Sequence, residues 1–103
     1  MIVKAPQDCN SMLELRAQID ALDQRLIEML ARRAAYIDRA AELKPAEGLA
    51  ARIDARVEQV VANARRNADA AGLDPDFAET IWRQMIDWSI AREERVLGPS
   101  QHD

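Results

Sequence analysis

From Ser11 to Lys44 the sequence carries one unbroken apolar stripe, and its length limits the folds open to the chain more than any other feature. The stripe reads Met12, Leu15, Ile19, Leu22, Leu26, Met29, then Arg33, Tyr36, Ala40 and Lys44. Alternating steps of three and four residues mark a helix that buries one face. Ser11 and Glu14 frame its start as a capping box, with Ser11 as N-cap and Glu14 reaching back to the Ser11 amide. Pro45 predicts its end at Lys44, because proline disfavours helix in the residue before it and lacks a donor, and Gly48 reinforces the break. Such a helix of about 33 residues spans roughly 50 Å at about 1.5 Å per residue. That outruns a small domain, so the helix needs a partner along its length.

The rest of the chain predicts two more helices. One runs from about Ala50 to Ala71 with the stripe Ile53, Val57, Val60, Ala64 and Ala68, and Gly72 stands at its C′ stop. Asp74-Pro75 then supplies an N-cap followed by proline at the first helical position. The third helix carries Ala78, Ile81, Trp82, Met85, Ile86, Ser89 and Glu93 on one face and ends near Leu97, before Gly98-Pro99. Trp82, Trp88 and Phe77 read as core residues. The expected organisation is an irregular arm over residues 1–10, one all-α helical domain over 11–97 and a disordered tail over 98–103. No strand alternation, internal repeat or low-complexity segment interrupts it.

Composition narrows the class. At 103 residues the chain is at most one small domain, and its 49% apolar content is rich in alanine with only 4% aromatics. Each helix therefore brings a thin layer of core, which favours burial against a second copy. The net charge of −4 argues against nucleic acid, whose phosphates call for a cationic surface. One cysteine, Cys9, fits a reducing compartment and permits no internal disulfide. The start Met1-Ile2-Val3-Lys4 runs into Pro6 without the pattern of a signal peptide, and no apolar run reaches the roughly 18 residues of a membrane span. The expected location is the cytoplasm.

Within the first stripe, Arg33 and Lys44 stand where hydrophobes belong. They share an azimuth to within about 20° and lie about 16 Å apart along the axis. Ile37, Ala40 and Ala41 between them leave room for a ligand. Cations in a buried seam are costly unless an anion neutralises them, and no carboxylate shares that face, so a small dianion is one candidate partner. The alternative is that both cations snorkel or pair with carboxylates of another helix. Arg16 lies about 25 Å from Arg33 on another face; the two can meet one ligand only if a second protomer runs antiparallel. By itself Arg16 is an ordinary surface arginine.

Ser89 and Glu93 continue the buried face of the third helix. Burial and the negative end of the helix dipole both favour the neutral carboxyl at Glu93, making it a candidate hydrogen-bond donor. A salt bridge to Lys44, Arg33 or Arg56, or simple exposure, is the competing reading. Arg52 and Arg56 flank the second stripe and would by default be solvated. His102 lies in the tail and is no catalytic base. The sequence has no nucleophile–base pair, metal-ligand spacing or phosphate loop, which leaves chemistry driven by shape and electrostatics.

Leu15-Arg16-x-x-Ile19-Asp20-x-x-Asp23, followed by Leu26, Leu30, Arg32-Arg33 and Lys44, resembles the first helix of the all-helical, type II chorismate mutase family. Ile86, Ser89 and Glu93 fall into register with its third helix, and the resemblance covers roughly residues 6–97. It implies a three-helix fold with a long first helix, assembled as an intertwined homodimer with two identical sites. It also implies roles: Arg16 of the partner chain and Arg33 of this chain would clamp the two substrate carboxylates. Lys44 and Glu93 would donate to the ether oxygen, and Arg56 and Ser89 would complete the polar lining. The implied reaction is the concerted rearrangement of chorismate to prephenate, without metal or cofactor.

Three positions depart from the family pattern. Glu93 stands where glutamine is frequent, and it can donate to an ether oxygen only when protonated. Val57 follows Arg56 where the family has glutamate, and Ile53 stands in register with an earlier acid, with Asp54 beside it. Those acids hold the C4 hydroxyl of chorismate. Their absence fits the isochorismate-pyruvate lyase branch, whose substrate carries its hydroxyl at C2. Ala5-Pro6-Gln7-Asp8-Cys9 and Trp88-x-Ile90-Ala91 also resemble that branch, whereas Glu93 departs from it too. A lyase forming salicylate and pyruvate is therefore the alternative to the mutase. An amino analogue of chorismate as substrate, and a non-catalytic helical dimerisation or binding module, are further alternatives.

Overall fold

The computed structural model describes residues 4–100, an all-helical chain with no strand among them. A 3-10 turn at Pro6–Asp8 precedes α1 (Met12–Glu47), α2 (Asp54–Ala71) and α3 (Pro75–Leu97). The chain divides into two compact units at Ala35–Tyr36, within α1. No helix among the described residues is long and apolar enough to cross a membrane.

The first unit holds the arm and most of α1. Ser11 caps as expected, its Oγ accepting from the Glu14 amide at 3.2 Å. The return half of the capping box differs: Glu14 Oε2 accepts from the Asn10 amide at 2.9 Å and from Lys4 Nζ at 3.2 Å, not from Ser11. Those contacts hold the Glu14 carboxyl below the usual carboxylate range, the Asn10 amide being the larger cause. The Lys4 amide donates to Gln18 Oε1 at 2.9 Å, so the arm is tied to the helix at two places.

The α1 helix runs three residues past Lys44 and takes in Pro45. A proline in the last turn forfeits only its own donor, and the stop comes from Gly48 instead. With φ at 70°, Gly48 lets its amide reach the Pro45 carbonyl at 3.1 Å while the Leu49 amide reaches the Lys44 carbonyl at 3.0 Å. This paired closure satisfies carbonyls that a helix end would leave bare.

In the second unit, α2 starts at Asp54, later than the apolar pattern suggests. Residues 48–53 form a link, and Ile53 caps without a side-chain bond. Val57, Val61 and Ile86 form the core, with Val60 and Ile90 packed against it. Ala64, Ala68 and Ala78 are buried as well, and such small residues let α2 and α3 approach closely. Asp74 caps α3, its side chain accepting from the Asp76 amide at 2.9 Å.

Phe77, Ile81 and Trp88 are exposed, contrary to their expected place in the core. They lie about 120° round α3 from the Ala78, Ile86, Ser89 and Glu93 face, and only that face can meet α2. Trp88 instead stacks under the Arg92 guanidinium, 5.3 Å from the ring centre. Ser100, expected in the tail, is bonded through both its amide and its hydroxyl. Residues 101–103, including His102, and residues 1–3 of the arm lie outside the described residues.

Candidate active site

Lys44 stands in the last turn of α1, and its ammonium meets two acceptors. Nζ donates to the Ala51 carbonyl oxygen at 2.8 Å and lies 2.7 Å from Glu93 Oε1 on α3. The pair is deep: the Glu93 side chain is only 6% exposed and that of Lys44 16%. The contact with Glu93 is electrostatic rather than an aligned hydrogen bond, because Oε1 is buried without a hydrogen-bond partner. The nearby ammonium compensates the buried negative charge. The observed arrangement is thus the salt bridge to Lys44, one of the alternatives open at Glu93.

Ser89 lies one turn before Glu93 on the same buried face of α3. Its hydroxyl donates to the Met85 carbonyl at 2.8 Å, the back-bond typical of serine within a helix. Ser89 and Glu93 thus share the buried face of α3, and Lys44 meets that face at Glu93. Arg56 does not share their burial: it is exposed and donates to Gln59 Oε1 at 2.8 Å. Arg16 and Arg33 belong to the first unit, Arg16 exposed and Arg33 half-buried.

One of the two positions without acids has a clear structural reason. Val57 faces the α2–α3 core and is buried there, so a carboxylate would be stranded among apolar side chains. Ile53 is the residue before α2, with its backbone extended. Asp54 beside it pairs outward with Arg52 at 2.8 Å. The Ala51 carbonyl is the one member of the cluster that the sequence could not announce. A main-chain acceptor has no side-chain signature.

What the cluster offers chemically is an ammonium group fixed from two sides, with three hydrogens to distribute. One goes to Ala51. The others can face a substrate oxygen on which charge develops, an arrangement worth most in a water-poor site. Glu93 adds a counter-charge to the ammonium.

A family model described as chorismate mutase type II matches residues 15–94. The chain is 33% identical to an isochorismate pyruvate lyase of Pseudomonas aeruginosa over 91 residues, 88% of this chain and 89% of that relative. It is also 33% identical to a T-protein of Enterobacter agglomerans over 79 residues, 77% of this chain but 21% of the relative. A T-protein of Haemophilus influenzae is 30% identical over 80 residues, 78% of this chain and again 21% of the relative.

Proposed function

This chain belongs to the chorismate mutase type II family, a family of chorismate-metabolising enzymes, and we propose that its reaction is the Claisen rearrangement of chorismate to prephenate. The observation that carries the reading is the buried Lys44 ammonium, held by Ala51 and balanced by Glu93. In this rearrangement the ether C–O bond breaks as the enolpyruvyl methylene joins the ring carbon bearing the carboxylate. No proton moves and no covalent intermediate forms. Negative charge grows on the ether oxygen, where a fixed ammonium lowers the barrier.

In the proposed site Arg33 of one protomer and Arg16 of its partner bind the two substrate carboxylates. Lys44 faces the ether oxygen, and Ser89 and Arg56 complete the lining. The pairing rests on the exposed apolar stripe of α1, including Ile19, Leu22, Leu26 and Met29, which a second copy would cover. Glu93, 2.7 Å from Lys44 Nζ, balances the ammonium and competes with the dianion for it. Glu93→Gln removes that competing charge and keeps a side-chain donor, so turnover should be kept or raised. A large loss of turnover in Glu93→Gln would overturn this role of Glu93. The setting is the cytoplasm, for which a chain with one cysteine is suited.

The second reading is isochorismate-pyruvate lysis, favoured by the apolar surroundings of Val57 and by the lyase relative that the chain matches along most of its length. There the C2 hydrogen passes to the enolpyruvyl methylene as the ether bond breaks, leaving salicylate and pyruvate. Purified protein incubated separately with chorismate and with isochorismate, at pH 5.5 and 7.5, distinguishes the two. Prephenate from chorismate at a substantial rate supports the mutase. Salicylate and pyruvate from isochorismate, with feeble prephenate, replaces it with the lyase.

A further inference from the structure

The peptide group joining Ala51 to Arg52 is held at both ends. Its carbonyl oxygen accepts from Lys44 Nζ at 2.8 Å, and its N–H donates to Ser100 Oγ at 2.9 Å. The bond is trans, so the two groups point in opposite directions from one plane. Turning that plane to improve one bond degrades the other. Ser100 is itself fixed: its amide donates to Glu94 Oε2 at 2.7 Å. The Gly98 amide donates to the Glu94 carbonyl at 2.8 Å, closing the end of α3. Glu94 adjoins Glu93, the other partner of Lys44.

We propose that Ser100 is a positioning residue for Lys44, acting through the 51–52 peptide. In the link between α1 and α2 the Ile53 carbonyl accepts from the Val57 amide at 3.0 Å, but Ala51 lies ahead of α2, which begins only at Asp54. Ser100 orients the Ala51 carbonyl from the segment after α3. A peptide whose N–H is engaged is also a better acceptor at its carbonyl, because the two bonds polarise the same group. Beside this contact the end of α1 and the link, with Pro45, Leu49 and Ala51, and the end of α3 and the segment after it, with Leu97 and Pro99, line an apolar depression of about 360 Å³. No acidic or basic side chain lines it. The Ser100 bond is therefore well placed to set the plane.

The inference rests on the catalytic role proposed for Lys44, but its first readout does not. Lys4 and Lys44 are the two lysines of the chain, and Lys4 provides an internal reference for amine chemistry. Full-length protein is treated with a limiting N-hydroxysuccinimide acetate, and acetylation at each lysine is read by peptide mass mapping. Ser100→Ala removes the acceptor and leaves Lys44 less firmly held. Its acetylation relative to Lys4 is expected to rise about two- to tenfold, the scale of one hydrogen bond. Ser100→Thr keeps a hydroxyl and returns the ratio to that of the parent. An unchanged ratio in Ser100→Ala, or a Thr variant that behaves like Ala, overturns the proposal.

Turnover of chorismate and of isochorismate by the same variants forms the second arm. A fall in kcat in Ser100→Ala that Ser100→Thr reverses, with KM little changed, supports positioning of the ammonium. A raised acetylation ratio with turnover unchanged in both reactions keeps the bond from Ser100 to the peptide but overturns its catalytic consequence, whereas full turnover in Lys44→Met would overturn the assignment of Lys44. The loss of either idea is thereby told from the loss of the other.

Discussion

The two units of the chain use similar residues to opposite effect. In the second, Val61 is 5% and Ile86 6% exposed, each covered by the other helix of the α2–α3 pair. In the first, Leu26 is 60% and Met29 59% exposed, although they sit in a stripe at least as regular. Burying a side chain of this kind contributes roughly 1.5–3 kcal/mol. The second unit gains that within one chain. The first leaves it to be gained by contact with something else, and a hydrophobic stripe alone does not reveal which case applies.

The sharpest test of this contrast mixes two inactive proteins. Arg16→Leu and Arg33→Leu should each lower turnover by about 10²- to 10³-fold, the scale for losing one charged contact in a transition state. If each site draws Arg16 from the partner, an equimolar mixture re-equilibrated through subunit exchange should recover about a quarter of parental activity, since half the dimers are mixed and each mixed dimer has one intact site. No recovery despite demonstrated exchange breaks the shared site. Leu26→Asp comes next: light scattering should shift from twice the chain mass to 11.6 kDa, while the α2–α3 pair keeps its helical signal. A parent already at the chain mass would break the idea that a second copy covers the stripe.

Ile86→Ala probes the covered region and should cost about 2–4 kcal/mol in denaturant midpoint measurements, independent of protein concentration. A strong concentration dependence there would erase the distinction between the units. The smallest effect belongs to Asp38→Asn. The Arg92 guanidinium hydrogen-bonded to Asp38 holds its carboxyl below the ordinary value of 3.8. A carboxyl depressed in the folded state stabilises above its unfolded value and loses that contribution as pH falls through the folded one. The parent should therefore melt slightly higher than the variant near neutrality, and the difference should vanish in acid.

Much of the fold is legible in the residues because caps and stripes are local. Ser11, Gly72 and Asp74-Pro75 mark helix ends through the amides and carbonyls they satisfy. Two boundaries read differently for physical reasons. Proline in a last turn sacrifices little, so α1 continues past Lys44, and Gly48 rather than Pro45 ends it. Apolar residues before Asp54 suggest an earlier α2, but residues 48–53 form a link, and the Ala51 carbonyl within it receives Lys44. Phe77 and Trp88 fail as core residues because aromatic character does not say which flank of a helix has a neighbour.

Of the candidate site, Lys44, Ser89 and Glu93 were legible as polar residues on apolar faces, and the structure buries all or most of each. Arg33 stood out by the same logic, whereas Arg16 looked ordinary until the family pattern gave it a place. The pairing of Lys44 with Glu93 was one of several alternatives, since spacing along two helices does not fix how they meet. The grip of Ser100 on a backbone amide left no trace at all: it depends on how the chain turns after Gly98, not on which residues recur.

If a second copy covers the stripe of α1 as proposed, that stripe has a kinetic meaning as well as a structural one. A protein whose sites are completed by a second copy does not have a fixed specific activity. As it is diluted past its dissociation constant, output per chain drops, and well below that constant the total rate varies with the square of the amount present. A cell making half as much of it would obtain less than half the flux, so expression level would act as a threshold on the reaction without any effector or dedicated regulatory site.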